Sequence, residues 1–582
     1  MRAARLLLIL LAAGLPGAAQ AAVPPAKLPA PTYPATVSRE VLLPMDDGVK
    51  IGMTVTLPSV DGTTPAPGRF PVVLGMTPYG RNGVCSCPSA ATYAPRGIAV
   101  AVADVRGTGG SGGDLSGNYF SPREARDGYA LVEYLGTQPW SSGKVGMAGG
   151  SYVGITQYLT AEQQPPHLAA ITPIVAVSDL YRDAYAHGGV PNVFFDAQYI
   201  GVQGGPGYAA GNNDPALLAD TVTAKLGQSP PGMIAFDYLA RPNDDRFYRD
   251  RSPIYHADKI TVPVLDIGNW QDGLLRGTPE MYAALARRPG VETRMFVDPC
   301  THKGCGAPFA PLTDPPGRQN LDALVFEFLD KHLRGTPAPQ RPNVEYYVQG
   351  RDRYASSTTW PPAGTTYQRM RLGTGTLGAP RHGAETGSYV SDPAAGFALA
   401  FNRFGTVAAS PYVPLDQRIE GLHGLTFRTA PLPAPKTIAG PLALHLRAAS
   451  TATDTDWHAK LADVAPDGSE TIITEGALRA SHRALDPARS RPERPYHTHT
   501  DPQPIKPGAF YDYEVEIWPT AYELAAGHRL QLRVTSTDLP THLPGSYHVD
   551  RGAPLETRVD LLPPAVNTIR FADSWLVVPV RR

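Results

Sequence analysis

The 582-residue sequence predicts an α/β domain on a mainly parallel sheet, interrupted by an insertion and followed by an all-β sandwich. Three observations carry this reading. Short, continuous, β-branched runs alternate with helical patterns as far as Gly335, as strands buried on both faces of a parallel sheet do. The strand signal fades after Val177 and returns only near Ile260. Beyond residue 336 the apolar period falls to two, the mark of strands with one polar face.

Taken in order, the chain opens on a segment to be set apart from the fold. Arg2 and Arg5 precede the apolar run Leu6–Leu11, and small residues end in Ala19-Gln20-Ala21. A basic start, a short apolar run and an A-x-A ending describe residues 1–21 as a secretory signal cleaved after Ala21. The run is short for a membrane span, and no later stretch approaches that length. The mature protein is therefore expected in the periplasm or outside the cell, with no membrane span. A formal net charge of −1 gives no basis for a nucleic-acid partner, and 42% hydrophobic residues is too many for a disordered chain. The sequence does not decide between a monomer and a homo-oligomer.

Residues 22–163 form the first part of the α/β core. Its strand-like runs are Pro71–Leu74, Ile98–Val102 and Val145–Ala148, with a helical pattern over Arg123–Leu135. Residues 164–260 are expected to be an inserted helical lid, rich in Tyr, Gly, Asp and Pro, with a helical patch at Pro215–Leu226, although the run Ala170–Val175 still reads as a strand. Residues 261–335 complete the core with the runs Val262–Ile267 and Thr293–Val297. There Leu321, Leu324, Val325, Phe328 and Leu329 recur at helical spacing, and Gly335 closes that helix. Thr336–Pro342 reads as a linker opening the last domain, residues 336–582. In it Leu442, Leu444 and Leu446, then Tyr511, Tyr513, Val515 and Ile517, then Leu530, Leu532 and Val534 alternate with polar residues, and Pro466-Asp467-Gly468 marks a turn.

The stretch with most chemistry in it is Gly149-Gly150-Ser151-Tyr152-Val153-Gly154. A serine on a sharp strand-to-helix turn presents its hydroxyl outside the sheet, beside the N–H groups of a helix start. The spacing departs from plain G-x-S-x-G, because Val153 stands where the second glycine belongs and Gly154 follows. A nucleophilic serine needs a histidine to take its proton and an acid to orient that histidine. Asp272 follows the run ending at Ile267, and His302 follows the run ending at Val297. An open α/β sheet gathers its site at successive strand C-termini, and the order Ser, Asp, His is that of α/β hydrolases.

Four cysteines, Cys85, Cys87, Cys300 and Cys305, lie near these segments. Because a Cys85–Cys87 bridge would close a very small ring, two bridges between the 85/87 loop and the 300/305 loop are expected. Zinc held by the cysteines and His302 is disfavoured by the C-x-C spacing, so no metal is expected. Gly107–Gly112 fits G-x-G-x-x-G, but the stretch Asp114–Ser121 after it is polar and turn-like where a dinucleotide site needs a helix. No cofactor is expected.

Together, Ser151–Tyr158 and the Asp272 and His302 loops resemble the bacterial cocaine esterase and X-Pro dipeptidyl-peptidase family of α/β hydrolases. Met76-Thr77-Pro78-Tyr79, Asp104–Gly112, Phe247–Pro253, Asp454–Trp457, Leu461–Gly468 and Gly527–Leu530 extend the resemblance over nearly the whole mature chain. It implies an α/β-hydrolase core with a helical lid and a C-terminal jelly roll. It implies Ser151 as nucleophile, His302 as base, Asp272 as orienting acid, and an oxyanion hole made by the Tyr79 hydroxyl and the Tyr152 N–H. Asp104 and Arg106 are expected to pair locally. The substrate would be a small ester or amide or a short peptide. An X-Pro or aminoacyl-ester enzyme of the same triad would need carboxylates for a free α-ammonium, and Asp179, Asp183, Asp244 and Asp245 lie in or near the lid. A non-catalytic carbohydrate- or surface-binding protein would instead require a broken triad.

Overall fold

The computed structural model describes residues 24–82, 85–115, 117–192, 241–302, 304–305, 318–378, 385–392, 418–538, 545–549 and 557–581. The expected signal and the helical patch at Pro215–Leu226 lie outside the described residues.

Ten strands build the α/β sheet: β1 (Ala35–Pro44), β2 (Lys50–Ser59), β3 (Phe70–Thr77), β4 (Ala99–Asp104), β5 (Ser141–Gly150), β6 (Leu168–Ile174), β7 (Val264–Gln271), β8 (Thr293–Thr301), β9 (Val344–Val348) and β10 (Arg353–Ser357). Their spatial order is β1-β2-β4-β3-β5-β6-β7-β8-β9-β10. From β4 to β9 all neighbours are parallel, and β2 and β10 join antiparallel at the two ends of that run. Alternate residues of one strand feed opposite cores: Val72 and Leu74 face one cluster while Val73 faces another. Helices α1 (Pro122–Thr137) and α2 (Tyr152–Ala161) cover the first face through Leu131, Leu135, Ile155 and Leu159. Helix α3 (Gly277–Leu285) adds Met281 and Leu285 to that face, and α4 (Leu321–Arg334) covers the other with Leu324, Phe328 and Leu329. Gly335, at φ +74°, ends α4 as expected, in a left-handed cap open to glycine at little cost.

Two boundaries differ from the sequence reading. β6 lies inside the segment 164–260 yet is a core strand, paired parallel to β5 and β7, so the insertion starts after it. β9 and β10 lie beyond residue 336 yet extend the α/β sheet, with Val297 opposite Tyr346. The linker simply returns the chain to the sheet, where Val344, Tyr346 and Val348 are buried. The described parts of the insertion hold a π-helical turn at Tyr181–Tyr185, a small hairpin (Ala186–His187 with Val190–Pro191) and short helical turns between Arg246 and Lys259.

Among the described residues the rest of the chain is all-β, with an 11-stranded sheet. Strand Lys436–Ser450 pairs antiparallel with Tyr511–Leu524, putting Leu444 opposite Val515 and Leu442 opposite Ile517. These residues, with Leu446, Leu530, Leu532 and Val534, share one core, so the alternation of period two faces as expected. A mixed cluster joins the domains: Trp270, Tyr346 and Tyr347 pack with Ala439, Trp518 and Ala521. Among the described residues no helix is long and apolar enough to cross a membrane.

Candidate active site

β5 runs two residues further than the sequence suggested, to Gly150, and α2 begins at once with Tyr152. The whole reversal falls on Ser151, at φ +59° and ψ −125°, a region that L-residues rarely occupy and that costs about 1–3 kcal/mol. Its N–H donates to the Ile174 carbonyl at 2.8 Å, which fixes the corner to β6. The displaced glycine now has a reason. A Cβ on Gly154 would sit 2.8 Å from the Ile174 carbonyl oxygen, so the helix packs on β6 at 154.

The Ser151 hydroxyl lies 2.9 Å from Nε2 of His302, and Nδ1 of His302 lies 2.8 Å from Oδ2 of Asp272. Asp272 is fully buried at the end of β7, and its Oδ1 accepts the Leu274 N–H at 2.6 Å. His302 follows β8 directly. Adjacent parallel strands thus deliver the acid and the imidazole side by side. The Tyr79 hydroxyl lies 3.4 Å from Ser151 Oγ, on the turn after β3 that its N–H closes on Thr77 Oγ1. Tyr152 is buried, its ring edge-on to Tyr79. The five residues expected at the site are therefore neighbours. An alcohol bonded to an imidazole that is itself bonded to a carboxylate can become an alkoxide-like nucleophile without leaving a net charge stranded.

The cysteines do not pair as expected. Cys85 is bonded to Cys87 and Cys300 to Cys305, so each bridge stays within its own loop. The Cα separations of 5.2 and 4.8 Å lie within the range a disulfide spans, so the turns already bring each pair together. Ser86, between the first two, accepts the Gly150 N–H at 2.9 Å, and the second pair flanks His302. Asp104 and Arg106 also take separate partners. Asp104 pairs with Arg81 and accepts the Gly110 N–H, whereas Arg106 forks onto Asp127 at 2.7 and 2.8 Å. A Cβ on Gly109 would fall 2.2 Å from the Asp104 carboxyl, so the glycine loop wraps the acid and keeps it from Arg106.

The lid acids are committed to arginines. Arg182 meets Asp179 at 2.7 Å and Asp244 at 3.0 Å, and Arg249 reaches Asp244 at 3.3 Å. Arg276 bridges Asp183 at 2.9 Å and Glu516 of the all-β domain at 3.0 Å. Burial raises the Asp183 and Asp244 carboxyls, against the pull of Arg276 and Arg182 respectively; at Asp179 the arginines outweigh burial and lower it. Asp245 caps a helical turn through the Phe247 N–H. The sequence reading missed Arg182 and Arg276, since a lone arginine carries no positional signal.

Residues 47–304 match the family model described as X-Pro dipeptidyl-peptidase (S15 family). Residues 338–572 match the X-Pro dipeptidyl-peptidase C-terminal non-catalytic domain. The chain is similar to the cocaine esterase of Rhodococcus sp. (strain MB1 Bresler), 26% identical over 557 residues, covering 87% of this chain and 92% of that one. Among solved structures, an aminopeptidase from a marine sediment Thaumarchaeota archaeon superposes with a TM-score of 0.75 at 22% identity, covering 98% of this chain and 100% of the other. An α-amino acid ester hydrolase superposes at 0.73 and 22% identity, covering 94% and 97%.

Proposed function

The chain belongs to the cocaine esterase and X-Pro dipeptidyl-peptidase (S15) family and is a serine hydrolase, and we propose that it cleaves a small ester or amide through an acyl-enzyme held on Ser151. The observation that carries this is the unbroken run of two hydrogen bonds, 2.9 and 2.8 Å, from Ser151 through His302 to Asp272. In this reading Ser151 Oγ attacks the substrate carbonyl carbon as His302 Nε2 takes its proton, and the carbonyl electron pair moves onto oxygen. Asp272 holds the imidazolium. The Tyr79 O–H and the Tyr152 N–H donate to the new oxyanion, which interacts with them more strongly than the ground-state carbonyl does. Collapse breaks the bond to the leaving group, which departs with the proton from Nε2. Water, deprotonated by the same nitrogen, then releases the acid and restores Ser151.

Within the family's range, the described acids favour a substrate without a free α-ammonium. Asp179, Asp183 and Asp244 are each held by an arginine, so none of the three stands as an uncompensated carboxylate for an amine. Residues 1–21 are read as a secretory signal, residues 22–163 and 261–335 as the catalytic core, 164–260 as the lid and 336–582 as a jelly roll, with the two boundary shifts given above.

Ser151→Ala should lower kcat by a factor on the order of 10⁶. A panel of p-nitrophenyl esters, an aminoacyl ester and Gly-Pro-p-nitroanilide, each with that variant as control, tests both parts. Retained ester turnover in the variant removes the nucleophile, and a preference for the prolyl anilide reverses the substrate assignment. N-terminal sequencing of protein from the periplasm or medium should begin at Ala22.

A further inference from the structure

Glu124 lies in the first turn of α1, three residues after the N-cap Ser121, whose hydroxyl accepts the Arg123 and Glu124 N–H groups. A glutamate at that position ordinarily reaches back to the start of its own helix at the surface. This one is buried, and its Oε2 does more than close the helix. It accepts the Phe120 N–H at 2.8 Å and, 28 residues along the chain, the Tyr152 hydroxyl at 2.9 Å. Oε1 is buried with no hydrogen-bond partner among the described residues.

The Tyr152 hydroxyl held by Oε2 belongs to the residue after Ser151, and Phe120, whose N–H it also holds, packs on that residue's ring. The ring is clamped by Phe120 at 4.2 Å and Tyr119 at 5.1 Å, with the Tyr79 ring at 6.4 Å. Phe120 is held at φ +51°, a left-handed backbone unusual for an aromatic residue, and its N–H is the one Glu124 accepts. One carboxyl oxygen thus ties the strained turn, the Tyr152 ring and, through that ring, Tyr79 into a single aromatic wall.

We propose that Glu124 is the positioning residue of the oxyanion hole, acting through Tyr152 as a neutral carboxyl and not as a carboxylate. The inference rests on the oxyanion roles of Tyr79 and Tyr152 given above. Burial raises the Glu124 carboxyl to about 8, with like charge at Asp127 adding to it and the bonds from Tyr152 and Phe120 and the charge of Arg106 opposing. The hydroxyl on it is that of Tyr152, and Asp127 is itself neutralised by Arg106 and Arg123. At neutral pH the proton rides on the carboxyl while Oε2 keeps both accepted bonds. As pH rises through 8, the proton leaves and a buried negative charge appears behind the oxyanion donors. The same charge that would develop on the substrate oxygen is then opposed.

The test is the pH profile of kcat for p-nitrophenyl acetate in wild type, Glu124→Gln and Glu124→Ala, with Ser151→Ala as control. Wild type should lose kcat on an alkaline limb near pH 8. Glu124→Gln keeps the acceptor oxygen without an ionisable proton, so it should retain most of the neutral-pH kcat and lack that limb. Glu124→Ala should lose about 10- to 100-fold in kcat with KM little changed, as misplacement of donors does. A wild-type profile without the limb, a limb unchanged in Glu124→Gln, or a folded Glu124→Ala with wild-type kcat overturns the proposal. If Glu124→Ala does not fold, the Glu124→Gln profile decides. Activity surviving in Ser151→Ala would fail the nucleophile assignment instead, which separates the two readings.

Discussion

At the scale of single residues, the site depends on a few unusual conformations. Ser151 takes a left-handed backbone so that one residue can turn the chain from β5 into α2. The Tyr79 hydroxyl lies 3.4 Å from Ser151 Oγ, and in the proposed mechanism it donates to the oxyanion. Tyr79→Phe should therefore cost roughly 10²–10³ in kcat with KM nearly unchanged, measured on an activated ester. A near-wild-type rate would remove it from the hole. Ser151, Asp272 and His302 were readable because their order and their places after strand-like runs are visible in one dimension. Tyr79 was readable only through family resemblance, since an aromatic after a proline has many uses. The cysteine pairing was misread because the small C-x-C ring was weighed as a strain cost, without a view of the turn that brings the two sulfurs together.

At the scale of elements, the seam between the insertion and the all-β domain is lined with imidazoles. His482 and His499 face each other through Nδ1 atoms 3.1 Å apart, and His497 lies close by. Burial, and then the neighbouring Arg479, pushes His482 down to about 3. The unfolded imidazole titrates near 6.5, so the folded state binds fewer protons between those values. Stability from His482 is then full above about pH 6.5 and is lost as pH falls, by about 2 kcal/mol at pH 5. The Glu124 and Glu162 carboxyls, both raised to about 8 by burial, act with the opposite sign in that window. The diagnostic quantity is thus a difference: His482→Asn should show a shallower loss of denaturation free energy between pH 6.5 and 5 than wild type. Equal slopes would mean His482 is charged in the fold. None of this seam was legible in the sequence, because its histidines come together only through tertiary packing. The parallel strands were legible for the opposite reason, since burial on both faces leaves continuous apolar runs such as Val72-Val73-Leu74.

At the scale of the whole molecule, the two domains share more than a hydrophobic contact. Arg276, four residues beyond Asp272, holds Asp183 from the insertion and Glu516 from the all-β domain in one buried cluster. Arg276→Met should destabilise by about 3–5 kcal/mol, because two carboxylates lose their counter-charge. Adding Asp183→Asn and Glu516→Gln should recover most of that loss in chemical denaturation. A single variant as stable as wild type would show that the cluster contributes nothing. The alternation of α and β elements disclosed both architectures but not that β9 and β10, just past the linker, join the α/β sheet, because they look like any short half-buried strands until they are seen against β8. The cluster also sets a timetable for the newborn chain. Ser151, Asp272 and His302 are all synthesised well before Glu516, so the loop bearing Asp272 lacks its outer brace until the last part of the polypeptide has folded, and the proposed hydrolysis would begin late, when the chain is nearly finished.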